Sequence, residues 1–138
     1  MIDFFSETSF SLQNPDEIAR WISKIINDQK REEGEISYIF CDDQYLHKLN
    51  LEFLNHDTLT DIISFDNSLG NQINGDIFIS IERVKENADT YKTNFEDELH
   101  RVIIHGVLHY CGFNDKNKAE ATLMRKKEDE ALSQRVFC

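Results

Sequence analysis

The longest apolar helix that the sequence predicts runs from Phe95 to about Cys111 and is followed by Gly112. Its apolar side chains recur at helical spacing and form a single stripe: Leu99, Val102, Ile103, Gly106, Val107 and Tyr110. Asn94 is placed to cap the first turn, and Gly112 favours the backbone conformation that ends a helix. Because such a stripe has to be buried, the chain needs a sheet or further helices to cover it.

Alternating and periodic apolar residues supply those covering elements. Four strands are predicted: Ile2–Phe5, Ile36–Phe40, Asp61–Phe65 and Asp76–Ser80, the last after a polar loop, Asn67–Gly75. Two of the other predicted helices come early: one from Pro15 with Asn14 as its cap, and one capped by Asp42 or Asp43 that carries Tyr45, Leu46, Leu49, Phe53 and Leu54. Two more follow: one carrying Ile81, Val84, Ala88 and Tyr91, and one over about Lys118–Gln134. The order β α β α β β α α α predicts an α+β fold, a small mixed β-sheet covered by helices, in a single domain over residues 1–138.

Composition narrows the class of protein further. The chain has 138 residues and 40% hydrophobic side chains, with five Gly and one Pro, which is typical of one compact domain. No run approaches the roughly 18 apolar residues of a membrane span, and the first residues lack the basic start of a secretory signal. The three cysteines, Cys41, Cys111 and Cys138, are expected to be reduced thiols in a cytoplasmic protein. The net charge of −11 argues against non-specific nucleic-acid binding.

Chemistry is concentrated at the end of the long central helix. His105 and His109 are four residues apart, so on a helix their imidazoles are neighbours and can bind one ion. Gly112 lets the chain turn back, which brings Asp115 within reach as a third ligand. Three protein ligands leave one open position on a tetrahedral zinc, the arrangement of a catalytic site. The sequence therefore predicts one Zn²⁺ per chain on His105, His109 and Asp115.

A pair of histidines at this spacing also occurs by chance, and the added Gly and Asp favour the metal site. The other histidines, His47, His56 and His100, are expected to be ordinary polar-face or loop residues. Cys111 adjoins the site but is expected to be a small buried side chain and not a ligand.

The same spacing fits the metzincin proteases, whose ligand pattern is H-x-x-x-H-x-x-G-x-x-(H/D). Those enzymes need a Glu directly after the first His, to deprotonate the zinc-bound water. Here that position is Gly106, which cannot act as a base. A metalloprotease is therefore the weaker hypothesis.

Three segments in order carry a stronger resemblance. Residues 105–115, H-G-V-L-H-Y-C-G-F-N-D, are similar to the signature H-G-x-L-H-L-x-G-Y-D-H of the YbeY family, the endoribonucleases of bacterial ribosomal RNA maturation. Upstream, Leu49, Asn50 and Phe53 with residues 60–65, T-D-I-I-S-F, resemble that family's L-N-x-x-(Y/F) and T-D-V-L-S-F segments. Residues 75–80, G-D-I-F-I-S, resemble its G-D-I-x-I-S strand.

This resemblance implies a single-strand-specific endoribonuclease that hydrolyses phosphodiesters with a metal ion, in rRNA processing and ribosome maturation. It implies RNA and ribosomal components as partners, with no membrane and no dinucleotide cofactor. An alternative is a ribosome-assembly factor with a structural metal and little nuclease activity.

The chain departs from the family pattern at three positions. Asp115 replaces the family's third His and Asn114 replaces the preceding Asp, and zinc accepts a carboxylate oxygen as readily as an imidazole. Leu54 stands where the family has an Arg that is thought to help catalysis or phosphate binding, and Leu can do neither.

Three charged residues are candidates for supporting roles. Arg101 lies on the helical turn before His105, so it is a possible phosphate contact, or else it forms a surface salt bridge with Glu98. Asp61 and Asp76 stand at strand starts, where they could bind the outer nitrogen of a ligating His or cap turns.

Overall fold

The computed structural model of the chain describes residues 1–54 and 60–137. Its strands are β1 (Ile2–Ser6), β2 (Glu32–Cys41), β3 (Ile62–Asp66) and β4 (Gln72–Ser80). Its α-helices are α1 (Pro15–Asp28), α2 (Asp43–Leu49), α3 (Ile81–Thr90), α4 (Phe95–Tyr110) and α5 (Lys118–Ser133). A π-helical turn, Asn50–Leu54, follows α2. The predicted order of elements and the α+β class are confirmed.

The sheet is mixed, with the strand order β1-β2-β4-β3. β1 and β4 both pair with β2 in parallel, and β3 pairs with β4 antiparallel. A tight turn connects β3 to β4, whereas each parallel pair is joined by a connection that contains a helix. The first of those connections is α1, whose face Ile18, Trp21, Ile22, Ile25 and Ile26 is buried.

Helix α4 lies across the sheet at the centre of the core, as its apolar stripe predicts. The Tyr38 hydroxyl of β2 donates a hydrogen bond to the Ile103 carbonyl at 2.8 Å. Near the end of α4, the Tyr110 hydroxyl donates to the Phe65 carbonyl of β3 at 3.0 Å. These bonds satisfy buried polar groups and fix α4 on the strands, so the end of α4 has a defined position.

Helix α5 closes the other side of α4. The Trp21 indole of α1 donates to the Ala131 carbonyl of α5 at 2.8 Å, which ties the first helix to the last. The inner face of α5 contains the three buried residues Met124, Glu128 and Ala131. In the described parts of the chain, no helix is long and apolar enough to cross a membrane.

Both central strands begin earlier than their apolar residues indicate. β2 starts at Glu32, which pairs with Gln72 of β4, so part of the predicted loop Asn67–Gly75 is strand. The register shifts between Glu33 and Ile36. Polar ends of this kind are held by the backbone hydrogen bonds of the ladder, which do not depend on side-chain pattern.

Two predictions about helix ends need correction, and one is resolved. Asn14 precedes α1 with φ 56° and makes no side-chain capping bond. The second helix does not continue to Leu54, because α2 ends at Leu49 and the π-helical turn takes over. Asp42 is the cap of α2, where its carboxylate accepts from the Tyr45 backbone N–H at 2.8 Å.

Two of the three cysteines, Cys41 and Cys111, are free and buried, as expected for reduced thiols. Cys111 is 8% exposed, in agreement with the prediction of a small buried side chain. Cys138, predicted to be a reduced thiol, and His56, predicted to be an ordinary polar-face or loop residue, lie outside the described residues.

Candidate metal centre

The two histidines of the motif lie on the last two turns of α4. Their ring centroids are 4.5 Å apart, and the rings meet edge to face. The His105 side chain is 19% exposed and that of His109 is 29% exposed, so both rings lie at the boundary between core and solvent. This is where the edge of the apolar stripe predicts them.

Gly106 explains how the helix places these rings beside the sheet. A Cβ atom at this position would lie 3.1 Å from the terminal methyl carbons of both Ile62 and Ile77. Gly106 therefore lets α4 approach β3 and β4 closely, and its position faces the strands and not the site. The structure gives no support to the metalloprotease hypothesis, which requires a glutamate base at this position.

A tight turn brings Asp115 back to the end of α4. Gly112 has φ 105°, which L side chains rarely adopt, and its N–H donates to the His109 carbonyl at 3.0 Å. Asp115 Oδ2 then lies 3.4 Å from His105 Nε2 and 3.6 Å from His109 Nε2. The structure thus brings together all three residues that the motif indicates.

The donor set fits a tetrahedral ion. One ligand atom from each of His105, His109 and Asp115 lies within 4.8 Å of the other two. With metal–ligand bonds of about 2.0–2.1 Å, neighbouring ligands of a tetrahedral zinc are about 3.3 Å apart. The two distances from Asp115 are close to that value, and two imidazoles with one carboxylate are a typical ligand set for zinc. The three residues could therefore hold one metal ion.

A fourth residue, Glu128 of α5, contacts the site and was not predicted. Its Oε2 lies 2.7 Å from His105 Nδ1, on the side of the ring opposite Asp115. Glu128 is only 5% exposed. The sequence held a signal, since Glu128 lies four residues after Met124 on the apolar face of α5, and a carboxylate on such a face must find a partner.

Charges around the two imidazoles shift their pKa values in opposite directions. Burial lowers the pKa of His105, but the hydrogen bond and charge of Glu128, with Asp115 and Asp61, raise it above the usual value overall. Burial lowers the pKa of His109 as well, and there the neighbouring His105 adds to the decrease. For Glu128, burial raises the pKa, but bonds from His105 and Arg101 bring it below the usual value.

Arg101 forms its ion pairs with α5, and it acts on Glu98 only through its charge, which lowers the pKa of that carboxyl against the larger effect of burial. Its Nη1 donates to Glu128 at 2.8 Å, and its Nη2 donates to Asp129 at 2.7 Å. The predicted pair with Glu98 is wrong because α5 packs against α4 and offers two carboxylates to the guanidinium. Arg101 also lines a cavity of about 240 Å³ beside His105, so a phosphate contact stays a prediction.

The two aspartates proposed as supporting groups have different positions. Asp61 lines the same cavity, where it accepts a hydrogen bond from Asn87 at 3.2 Å. Burial raises the pKa of Asp61, and His105 partly opposes that increase. Asp76 is exposed on β4, and its backbone carbonyl accepts from the Tyr110 hydroxyl at 3.2 Å. Among the described residues, Glu128 is the carboxylate hydrogen-bonded to His105, in place of Asp61 or Asp76.

The prediction for one of the other histidines, His100, is wrong. His100 is not a polar-face residue, because it is 2% exposed and packs edge to face against Trp21 and Phe137. Arg135 Nη1 lies 2.8 Å from its Nδ1. His47 lies half-buried on α2, as expected of an ordinary helix residue.

A sequence model described as Endoribonuclease YbeY matches residues 4–135. The chain belongs to the YbeY family. Curated YbeY relatives named Endoribonuclease YbeY include one from Flavobacterium johnsoniae, 59% identical over 133 residues, with 96% of each chain covered. Another, from Christiangramia forsetii, is 57% identical over 132 residues and covers 96% of this chain and 92% of its own.

A solved structure has a similar fold. The solution structure of TM1509 from Thermotoga maritima superposes with a TM-score of 0.68 and 26% sequence identity. The match covers 96% of this chain and 87% of the other. The family match confirms the resemblance that the three motifs indicate, and the solved structure agrees with the α+β fold.

Leu54 is the departure from the YbeY pattern that lies outside the motif of residues 105–115. Leu54, where the family has an Arg, is the last residue of the π-helical turn and is 42% exposed. Residues 55–59, which follow it, lie outside the described part of the chain.

Proposed function

We propose that this chain is a zinc-dependent, single-strand-specific endoribonuclease of the cytoplasm that acts in ribosomal RNA processing and ribosome maturation. The observation that carries the proposal is the approach of Asp115 to both histidines, at 3.4 and 3.6 Å, in a member of the YbeY family. Relatives at 57–59% identity are named as endoribonucleases. RNA is then the substrate, and ribosomal components are the expected partners.

Each residue of the centre has a distinct task in this proposal. His105 and His109 would bind the ion through nitrogen, and Asp115 would bind it through Oδ2. Bound zinc supplies a Lewis acid that stabilises the negative charge developing on phosphodiester oxygens during hydrolysis. Because the ligand set contains one carboxylate, the site carries one negative charge more than a site with three neutral histidines.

Arg101 is the proposed phosphate contact. It lines the cavity beside His105. Its partner Asp129 has a side chain that is 60% exposed, and ion pairs with such exposed groups contribute little free energy. A phosphate group of the RNA can therefore compete for the Nη2 side of the guanidinium, while the buried bond to Glu128 stays in place.

Hydrolysis of a labelled single-stranded RNA tests the proposal. We expect turnover by the wild-type protein, none by His105→Ala, and wild-type rates from His47→Ala, which alters a histidine on α2. A duplex of the same sequence should be cut slowly or not at all. Chelator should stop the reaction, and added Zn²⁺ should restore it.

The ribosome-assembly alternative rests on Leu54, which stands where the family has a charged residue and cannot bind phosphate. The relatives named as endoribonucleases do not favour it. It predicts one bound metal per chain with no difference in RNA turnover between wild type and His105→Ala. That result would overturn the nuclease proposal and leave the metal centre standing.

A further inference from the structure

Glu128 is a charged residue in an apolar surrounding, and its position needs an explanation. It is 5% exposed and shares the inner face of α5 with Met124 and Ala131. Burying a carboxylate is costly unless both of its oxygens find strong partners. A stability role alone is a poor explanation, because an apolar side chain of similar volume would serve the packing as well or better.

Both oxygens of Glu128 are used, and by different partners. Oε1 accepts from Arg101 Nη1 at 2.8 Å, while Oε2 lies 2.7 Å from His105 Nδ1. Arg101 is itself held from a second side, because its Nη2 donates to Asp129 at 2.7 Å. The bidentate use of the guanidinium by two consecutive acids of α5 leaves the Glu128 carboxylate little freedom to rotate.

This arrangement determines how the His105 ring is presented. A carboxylate paired with a guanidinium only accepts hydrogen bonds, so the ring nitrogen that faces it, Nδ1, has to donate. The proton of a neutral imidazole then lies on Nδ1, and Nε2 carries the lone pair. Nε2 is the atom that lies 3.4 Å from Asp115.

We infer that Glu128 is a positioning residue of the metal centre, which holds the His105 ring with Nε2 towards the ion and is itself fixed by Arg101. The inference rests on the metal site of the proposed function. It extends the centre beyond the eleven-residue motif to α5, because Glu128 lies 23 positions after His105 in the chain. Carboxylates that bind the outer nitrogen of a ligating histidine typically contribute 10- to 100-fold, roughly, to metal affinity.

The first test measures Zn²⁺ affinity by competition with a chelator of known strength, with no RNA present. Glu128→Gln keeps the shape of the side chain and removes its charge, and we expect about a 10- to 100-fold weaker affinity. The matched control is Glu130→Gln, which removes a carboxylate of the same helix that pairs with Lys127 and is part of neither the His105 nor the Arg101 contacts. We expect this control to change affinity by less than about threefold. Equal losses in the two variants, or no loss in Glu128→Gln, would overturn the inference.

The second test needs no variant, so it stands even if Glu128→Gln folds poorly. The ¹⁵N chemical shifts of the His105 ring, in metal-free wild-type protein at alkaline pH, report which nitrogen carries the proton. We expect the proton on Nδ1 in the wild type and a mixture of tautomers in Glu128→Gln. A general loosening of α5 would not select one tautomer of one ring. A wild-type ring protonated on Nε2 would overturn the inference directly.

These outcomes separate the inference from the nuclease proposal. Tight Zn²⁺ binding that depends on Glu128, without RNA turnover, supports the positioning role and removes the nuclease activity. RNA turnover by a protein whose Zn²⁺ affinity does not depend on Glu128 supports the nuclease activity and overturns the positioning role. A wild-type protein that binds no Zn²⁺ would overturn both.

Discussion

His105 and His109 belong to one candidate centre and lie one helical turn apart, yet different parts of the chain hold them in place. Behind His105 stands the buried Glu128 of α5, fixed by Arg101. His109 instead interacts with the backbone of Phe113, in the turn that directly follows α4, and this interaction opposes the decrease of its pKa. One ligand therefore depends on the packing of two helices, and the other depends on the local course of the backbone.

The difference shows in their electrostatics. The pKa of His105 is raised, because bonding to Glu128 outweighs the effect of burial, whereas burial and the neighbouring ring lower the pKa of His109. A centre built in this way has two arms, a distant one through α5 and a local one through Gly112 and Asp115. Changes in each arm should therefore have separable effects.

The largest expected effect is the loss of a ligand from the local arm. Elemental analysis of the wild-type protein should give about one zinc per chain, and His109→Ala or Asp115→Ala should give close to none. Both changes leave the bond between His105 and Glu128 in place, so loss of metal would show that the distant arm alone cannot hold the ion. Stoichiometric zinc in either variant would mean that the residue is not a ligand.

A smaller effect is expected from Gly112→Ala, which strains the local arm without removing a ligand. Gly112 has φ 105°, and among the described residues a Cβ there would meet only Arg31 Nη2, at 3.5 Å, so the cost is one of backbone conformation. We expect the free energy of unfolding to fall by about 2 kcal/mol. Zinc affinity should fall as well, because Asp115 is delivered by this turn.

The matched control for Gly112 is Gly70→Ala. Gly70 also has positive φ, 58°, and no atom of the parts of the chain that the structure describes lies within 4 Å of its added Cβ. It belongs to the turn between β3 and β4, so its strain should lower stability in chemical denaturation and leave zinc affinity unchanged. If both variants lost stability and neither lost affinity, the turn at Gly112 would not be what positions Asp115.

The two arms differ in how far the sequence predicts them. The local arm lies within eleven residues, where helical spacing and one glycine determine which side chains meet. The distant arm depends on how α5 packs against α4, and a one-dimensional pattern does not specify the rotation of one helix against another. The sequence therefore does not predict the contact of Glu128 with His105, and for Arg101 it indicates an ion pair with the nearer Glu98.

The same limit applies to the fold. The α+β class and the order of elements follow from periodicity, which is a local property of the chain. The early starts of β2 and β4 do not, because Glu32 and Gln72 are ordered by pairing with each other and not by their side chains. Likewise His100 looks like any polar residue in sequence, and its burial depends on Trp21 of α1 and Phe137 at the far end of the chain.

The smallest expected effect is on the pH dependence of stability and comes from His100. This third imidazole of α4 lies away from the centre, so it is a control for the comparison of His105 with His109. Burial, and then Arg135, lower its pKa from 6.5 to about 4. Its Nδ1 accepts from Arg135, so a proton there would have to displace that bond.

The sign of the resulting pH dependence follows from this lowered pKa. In the unfolded chain His100 binds a proton below about pH 6.5, whereas in the folded chain it stays neutral until about pH 4. The unfolded state therefore gains protons first as the pH falls, and the free energy of unfolding decreases. Between about pH 7.5 and pH 5.5 this one group should remove roughly 1 kcal/mol.

Urea denaturation of the wild type and of His100→Gln, both kept metal-free with chelator, measures this contribution as the difference between their pH profiles. We expect the variant to lose stability less steeply on acidification, because glutamine can take the same bond from Arg135 without titrating. Parallel profiles would mean that His100 takes up a proton as readily in the folded state as in the unfolded state, and the buried environment assigned to it would be wrong.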